Sequence, residues 1–166
     1  NRAKALLAQG IEIAKGDLCE AEKLQTLVQK HAITHIVHLA AQAGVRHSLD
    51  APQDYVASNV QGFVNILETC RRLPGTKLTY ASSSSVYGTN NKVPFAETDR
   101  TDNQANLYGT TKKANELMAA SYHHLFNIPV TGLRFFTVYG PWGRPDMAYY
   151  MFTKSIFENK PIKIFN

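Results

Sequence analysis

The sequence predicts an α/β fold in which a parallel β-sheet carries helices on both faces. Short apolar runs suited to buried strands alternate with longer segments of helical periodicity. The chain has 166 residues, 44% hydrophobic and 19% charged, which is enough for one domain with a core. Polar clusters at residues 42–48, 82–88 and 137–146 each follow a predicted strand. Because ligands of such folds bind beyond the carboxyl ends of the strands, we expect these clusters to converge at one edge.

Each element follows from a local pattern. Gly10 ends a segment of helical spacing as a C-terminal cap, and alternating side chains next predict a short strand. Residues 35–41 form an apolar run typical of a buried parallel strand. Pro52 begins a long helix with an apolar stripe. In order, the sequence predicts helices over 2–9, 20–30, 52–72, 106–126 and 148–158, and strands over 11–14, 35–41, 77–81, 130–136 and 162–165.

Composition and charge exclude several classes of function. The net charge of +5 comes from scattered residues without an interleaved aromatic platform, so no nucleic-acid partner is expected. No apolar run approaches the ~20 residues of a membrane span. Cys19 and Cys70 fit a reducing, cytoplasmic location. His31 and His35 flank a predicted turn without a third ligand nearby, so no metal site is expected.

The stretch Tyr108-Gly-Thr-Thr-Lys112 is the candidate centre of the chemistry. A tyrosine and a lysine four residues apart lie on one face of a helix. A neighbouring ammonium favours the phenolate and lowers the pKa of a tyrosine from its reference of about 10. The pair therefore suits a general base that takes a proton from an alcohol. By itself this spacing is a weak signal, because tyrosine and lysine are common on helices, and a partly exposed helix face is the better interpretation of it.

Six features together resemble the extended short-chain dehydrogenase/reductase superfamily, the nucleotide-sugar epimerases and dehydratases. They occur in the family's order and spacing: Gly16-Asp17-Leu18, His38-Leu39-Ala40-Ala41, Asn59-Val60, Ser83 ahead of Val86-Tyr87-Gly88, Tyr108-x-x-x-Lys112, and Arg134-Phe135-Phe136. The resemblance implies a Rossmann-type sheet, a bound NAD and a UDP-sugar substrate. It also implies a possible homodimer through the helices at 51–72 and 105–126.

A narrower resemblance is to the UDP-glucuronate 4-epimerases. It is carried by Ala40-Ala-Gln-Ala-Gly-Val-Arg46 and by Thr137-Val-Tyr-Gly-Pro-Trp-Gly-Arg-Pro-Asp-Met-Ala148. Such enzymes begin with a strand and a glycine-rich loop, and no such glycine cluster occurs here. We therefore expect residues 1–166 to be the central part of one NAD-binding Rossmann-like domain, without the first strands and most of the substrate domain. We expect this piece alone neither to bind NAD tightly nor to turn over.

The resemblance assigns roles to individual residues. Tyr108 is the base, Lys112 its electrostatic partner and a ligand of the nicotinamide ribose, and Ser83 the hydroxyl that positions the sugar alcohol. For the apolar members of the cofactor set, packing in the core is an alternative role. The cofactor set is Asp17, Leu18, Leu39, Ala40, Ala41, Asn59, Tyr108, Lys112, Phe136 and Val138.

The expected reaction inverts C4 of a UDP-uronic acid through a 4-keto intermediate. That intermediate is a β-keto acid, so its carboxylate must be held against loss of carbon dioxide. The resemblance assigns this task to Ser84, Ser85, Thr137 and Arg144, whereas Ser83 contacts the substrate at the sugar alcohol. For Arg144, a diphosphate contact or a salt bridge within the loop stays open.

Three other functions remain alternatives. The related dehydratases carry an Asp-Glu pair after the catalytic hydroxyl residue, and decarboxylases commonly a Glu, whereas this chain has Ser84-Ser85. The alternatives are a UDP-glucose 4-epimerase, a UDP-glucuronate decarboxylase and a catalytically silent nucleotide-sugar-binding scaffold. The family-level setting is polysaccharide biosynthesis.

Overall fold

The computed structural model describes residues 2–45 and 47–162. These residues form two compact units, one of residues 15–136 and the other of residues 2–14 with 137–162. The strand predicted over 162–165 lies outside the described residues except for Ile162.

The larger unit is built on a parallel three-stranded sheet. Its strands are β1, His35–His38, β2, Lys77–Ser83, and β3, Val130–Phe135, in the order β1-β2-β3. The register pairs His38 with Tyr80 and Ser83 with Phe135. The parallel sheet and the Rossmann-type class predicted from the sequence are confirmed. β1 is shorter than predicted, and β2 extends to Ser83, so the first two serines belong to the strand.

Helices connect and flank the strands. The larger unit contains α2, Ala21–Lys30, α3, His47–Asp50, α4, Pro52–Tyr55, a π-helical segment, Val56–Gln61, α5, Gly62–Arg72, a 3-10 turn, Ser84–Tyr87, and α6, Leu107–Phe126. The smaller unit contains α1, Arg2–Leu7, and α7, Ala148–Phe157.

The single helix predicted over 52–72 is interrupted by the π-helical segment. The amide of Gly62 donates to the carbonyl of Ala57, five residues earlier, instead of four. A side chain at position 62 would not fit, because its Cβ would lie 2.9 Å from the Cβ of Leu18. Contacts distant in sequence therefore decide this local geometry.

The core lies on one face of the sheet. Phe63, Ile66, Leu67 and Cys70 form the apolar stripe of α5 and pack with side chains of β2 and α6. On the opposite face Val37 is 65% exposed, and Leu133 and Phe135 are about two-fifths exposed. Helices on both faces were expected, but those of residues 15–136 cover one face, because the stripes of α5 and α6 meet the same side chains of β2.

The strand predicted over 11–14 does not form. Ile11 and Ile13 alternate with polar neighbours as a strand would, yet both are more than two-fifths exposed. A strand needs a partner for its backbone N–H and C=O groups, and the described strands pair only among β1, β2 and β3. Alternation alone was therefore misleading here.

Candidate active site

Ser83 lies where β2 ends and turns towards solvent. Its Oγ accepts a hydrogen bond from the amide of Ser85 at 3.1 Å and so caps the 3-10 turn that carries Ser84 and Ser85. Gly88 closes this turn with a φ of 57°, where an added Cβ would lie 1.8 Å from the carbonyl oxygen of Asn103. The serine-rich segment is thus a fixed turn at the carboxyl edge of the sheet.

Tyr108 lies in the first turn of α6, which packs against the serine turn. Asn106 caps the helix, with its Oδ1 accepting from the amide of Gly109 at 2.8 Å. A Cβ at Gly109 would lie 2.7 Å from the carbonyl oxygen of Ser85, so only glycine allows this approach. The Tyr108 ring meets Tyr55 edge-on with centroids 6.3 Å apart. The fold thereby brings the tyrosine's turn against the turn that Ser83 caps.

Lys112 points from α6 onto the sheet. Its Nζ donates to the carbonyl oxygen of Ala81 at 2.8 Å, and the residue is 2% exposed. Burial lowers the pKa of this ammonium to about 8, because the charged form loses its hydration. A lysine with this pKa is still mostly protonated at neutral pH and therefore attracts negative charge.

His38 is a neighbour of Lys112 that the sequence analysis named in a motif but gave no role. It ends β1, is 4% exposed, and its ring lies 5.5 Å from that of Phe63. Its Nε2 has no hydrogen-bond partner within the described residues. Burial, helped by the charge of Lys112, lowers the pKa of His38 to about 4. The imidazole is therefore neutral beside the lysine. Its position directly before Leu39-Ala40-Ala41, within a family motif, was the sequence signal that could have identified it.

Two segments assigned to the cofactor occupy defined places. Leu39 and Ala40 follow β1 and are exposed, whereas Ala41 is half-buried. Asp17 accepts from the amide of Cys19 at 2.8 Å, and this bond lowers the pKa of the carboxyl group. The carbonyl of Leu18 accepts from Asn65 of α5 at 2.7 Å. These groups of the protein fit a dinucleotide. They comprise an exposed carboxylate, small side chains beside accessible backbone, and a buried ammonium.

Asn59 is buried and bonds to protein groups on all sides. Its side-chain amide accepts a hydrogen bond from the backbone N–H of Gln42. It donates to the backbone carbonyl of Gln42 and to the hydroxyl of Thr111. These bonds brace the turn that follows β1.

A cavity of about 670 Å³ opens beside the aromatic end of β3. Phe136 is exposed there, 6.2 Å from Phe95 and 6.4 Å from Tyr87 between ring centroids. Deeper in the cavity wall, Glu116 of α6 accepts two hydrogen bonds from Arg134 at 2.9 Å each. The ion pair ties β3 to α6 and was not singled out from the sequence.

The remaining predicted residues belong to the smaller unit. The carbonyl of Val138 accepts from Tyr149 at 3.0 Å, and its side chain is exposed. Thr137 lines a cavity of about 540 Å³ with aromatic residues of this unit. Arg144 pairs through two nitrogens with Asp146, two residues further on, as the salt-bridge alternative anticipated. Ser83, Tyr108 and Lys112 therefore lie in the larger unit. Thr137, Val138 and Arg144 lie in the smaller unit.

Across 2–45 and 47–162, no group of three or more His, Cys, Asp or Glu side chains has the arrangement of a metal site. Within the same ranges no helix combines the length and apolarity needed to cross a bilayer.

Comparisons with known proteins agree with this geometry. UDP-glucuronate 4-epimerase 1 of Arabidopsis thaliana is 54% identical over 165 residues, 99% of this chain and 38% of that protein. The crystal structure of UDP-glucuronic acid 4-epimerase from Bacillus cereus, in complex with UDP-glucuronic acid and NAD, superposes with a TM-score of 0.84 at 36% identity, covering 93% of this chain and 48% of the other. For UDP-glucose 4-epimerase from Thermotoga maritima with UDP-glucose the TM-score is 0.90 at 25% identity, covering 95% and 52%.

The chain spans about 38% of the length of the curated relatives named above. The sequence profile of the NAD dependent epimerase/dehydratase family matches residues 1–166. Together with the parallel sheet and the serine, tyrosine and lysine at its edge, this match shows that the chain belongs to the NAD dependent epimerase/dehydratase family.

Proposed function

We propose that the protein containing this chain interconverts UDP-glucuronate and UDP-galacturonate by NAD-dependent epimerisation at C4. The observation that carries the proposal is the packing of the Tyr108 turn against the turn capped by Ser83, with Lys112 buried beside them. The similarity to UDP-glucuronate 4-epimerases over 99% of the chain selects this reaction within the family.

The proton chemistry falls to three residues. Tyr108 removes the proton of the C4 hydroxyl, and Ser83 donates a hydrogen bond to the same oxygen to hold it in line. Lys112 supplies a positive charge from its buried position between α6 and β2. A bound NAD would supply reversible hydride transfer at C4, the chemistry that inversion at this carbon needs beside the proton transfer. Asp17, Leu18, Leu39, Ala40, Ala41, Asn59, Phe136 and Val138 are the further residues proposed to hold NAD.

Substrate selection depends on the hydroxyl groups that follow Ser83. Ser84 and Ser85 are neutral donors on a rigid turn, so they can bind a carboxylate without repelling it. No acid stands there to protonate a leaving hydroxide, which disfavours dehydration. Thr137 and Arg144 are proposed to complete the carboxylate site. For Arg144 this requires exchanging the Asp146 partner for the substrate.

The intact protein with UDP-glucuronate, followed by NMR, tests the proposal. We expect UDP-galacturonate without a UDP-pentose. UDP-xylose as the main product would identify a decarboxylase and overturn the assignment. Conversion of UDP-glucose in place of UDP-glucuronate would identify the other epimerase. Binding of the UDP-sugar with no turnover at all would favour a silent scaffold.

We also infer a cytoplasmic homodimer. Cys19 and Cys70 are both free thiols, as in a reducing compartment. Val56 and Leu117 are about half exposed on the helices proposed to pair with a second copy. Sedimentation of the intact protein should give a dimer and that of Leu117→Glu a monomer. A wild-type monomer at micromolar concentration would contradict the dimer.

A further inference from the structure

Asn59 joins two segments through three hydrogen bonds. Its Oδ1 accepts from the amide of Gln42 at 2.8 Å, and its Nδ2 donates to the carbonyl of Gln42 and to the hydroxyl of Thr111 at 3.0 Å each. Only one orientation of the side-chain amide satisfies these bonds, because the reversed amide would set its own N–H groups against the Gln42 N–H. Asn59 is 1% exposed, so water does not compete for these bonds.

Thr111 extends this connection into the helix of the candidate base. A threonine hydroxyl has one proton to donate, and Thr111 gives it to the carbonyl oxygen of Tyr108 at 2.8 Å. The lone pair on the same oxygen accepts from Asn59. A directed chain of hydrogen bonds therefore runs from the backbone of Gln42 to the backbone of the residue that carries the phenol. Thr111 is buried like Asn59.

The π-helical segment accounts for the reach of Asn59. It contains one residue more than an α-helix of the same rise, as the bond from Gly62 to Ala57 shows. Removing that residue would rotate the side chains on one side of it by about 100° relative to those on the other. The side chains before and after the insertion would then lose their present alignment, on which the two contacts of Asn59 depend. Such insertions are frequent at functional sites, and here the insertion serves the bridge.

We propose that Thr111 is a positioning residue of the reaction, which acts through Asn59. It ties the segment after β1, where the proposed cofactor contacts Leu39, Ala40 and Ala41 lie, to the first turn of α6. Tyr108 is thereby held in register with Ser83 and with the cofactor side of the sheet. The inference rests on the proposed function for its catalytic part, whereas the physical tie between Gln42 and Tyr108 does not.

The test uses three variants of the intact protein. Thr111→Val keeps the shape but removes the hydroxyl and leaves an Asn59 N–H unpaired, whereas Thr111→Ser keeps the hydroxyl. Thr110→Val is the matched control, because the Thr110 hydroxyl bonds to the carbonyl of Asn106 from an exposed position. We measure kcat and KM with UDP-glucuronate, and amide hydrogen exchange at Gln42.

For Thr111→Val we expect kcat to fall about 100-fold, since small displacements of a reacting group cost that much. KM should stay within about threefold, and the Gln42 amide should exchange about tenfold faster because its anchor loosens. Thr111→Ser and Thr110→Val should stay within about threefold of wild type in all three quantities.

Several results would overturn the proposal. One is a kcat of Thr111→Val equal to that of the wild type. A second is a fall in kcat without faster amide exchange at Gln42. A third is a Thr111→Ser variant as slow as Thr111→Val. If the wild type itself epimerises nothing, the proposed function fails separately. Amide exchange at Gln42 then tests the hydrogen-bonded connection between Gln42 and Tyr108 by itself. Faster exchange in Thr111→Val alone supports this connection, and unchanged exchange contradicts it.

Discussion

The Nζ atom of Lys112 donates a hydrogen bond to the carbonyl oxygen of Ala81 over 2.8 Å. Ala81 lies two residues before Ser83 on β2, so the bond anchors α6 to the strand that presents the serine turn. Lys112, which the sequence predicts to share a helix face with Tyr108, is therefore held against the sheet. The consequences of this anchor and of its neighbours can be measured.

Substitution of Lys112 by Met should change how stability depends on pH. The pKa of Lys112 is about 8 in the folded protein, below its value of about 10.4 in an unfolded chain. Between these values the unfolded state binds more protons at this site, so Lys112 contributes a rise in the free energy of unfolding with pH across the window, of about 3 kcal/mol. This rise should be missing from Lys112→Met. Urea unfolding from pH 7 to 10.5 measures the difference, and parallel curves would contradict it.

Substitution of Tyr108 by Phe should abolish turnover while the protein stays folded. The change removes the phenolic proton acceptor but keeps the ring that packs against Tyr55. Circular dichroism checks the fold, and NMR of the UDP-sugars measures turnover. Tyr122→Phe is the control, because Tyr122 lies on the same helix and its hydroxyl bonds to Glu68. Activity retained by the Tyr108 variant would mean that another group is the base.

Substitution of Gly109 by Ala should destabilise the protein and slow the reaction. The new Cβ would lie 2.7 Å from the carbonyl oxygen of Ser85, so the turn of Tyr108 must move away from the serines. We expect a loss of about 1–3 kcal/mol in the free energy of unfolding. At Gly16 the nearest atom is 3.4 Å away on the flexible side chain of Lys23, so Gly16→Ala should cost less. Equal effects of the two substitutions would argue against the close packing of the turns.

Substitution of Glu116 by Gln should break the tie between α6 and β3. The carboxylate accepts from Arg134 and, at 2.6 Å, from Ser82. Burial opposes its ionisation, but these hydrogen bonds outweigh burial and lower the pKa of Glu116. Because the change leaves a half-buried guanidinium without its counter-charge, we expect a loss of about 2 kcal/mol or more. Thermal and urea unfolding measure this loss.

The control for that substitution is Glu158→Gln. Glu158 pairs with Lys160 at 2.7 Å on the surface, where the two side chains are screened by water. Its replacement should change the free energy of unfolding by less than about 1 kcal/mol. A Glu116 variant as stable as this control would show that the ion pair contributes little.

The sequence by itself determined the class of fold and the family. Periodicity is a local property, so the alternation of strands and helices, the helix that begins near residue 106 and the stripe of α5 could be read directly from the residues. The spacing of Tyr108 and Lys112 likewise follows from helix geometry alone. The motifs that carry the family resemblance were visible before any contact between them was known.

Only the tertiary structure decided how these parts meet. The strand expected at 11–14 fails for want of a pairing partner, and helices cover one face of the larger unit's sheet. Leu18 approaches Gly62 and Gln42 bonds to Asn59, and both are remote in sequence from the π-helical segment that they meet. The pKa values of His38 and Lys112 depend on burial, which no local pattern reports. Local preference determines which elements form, whereas packing and desolvation determine which side chains share a site.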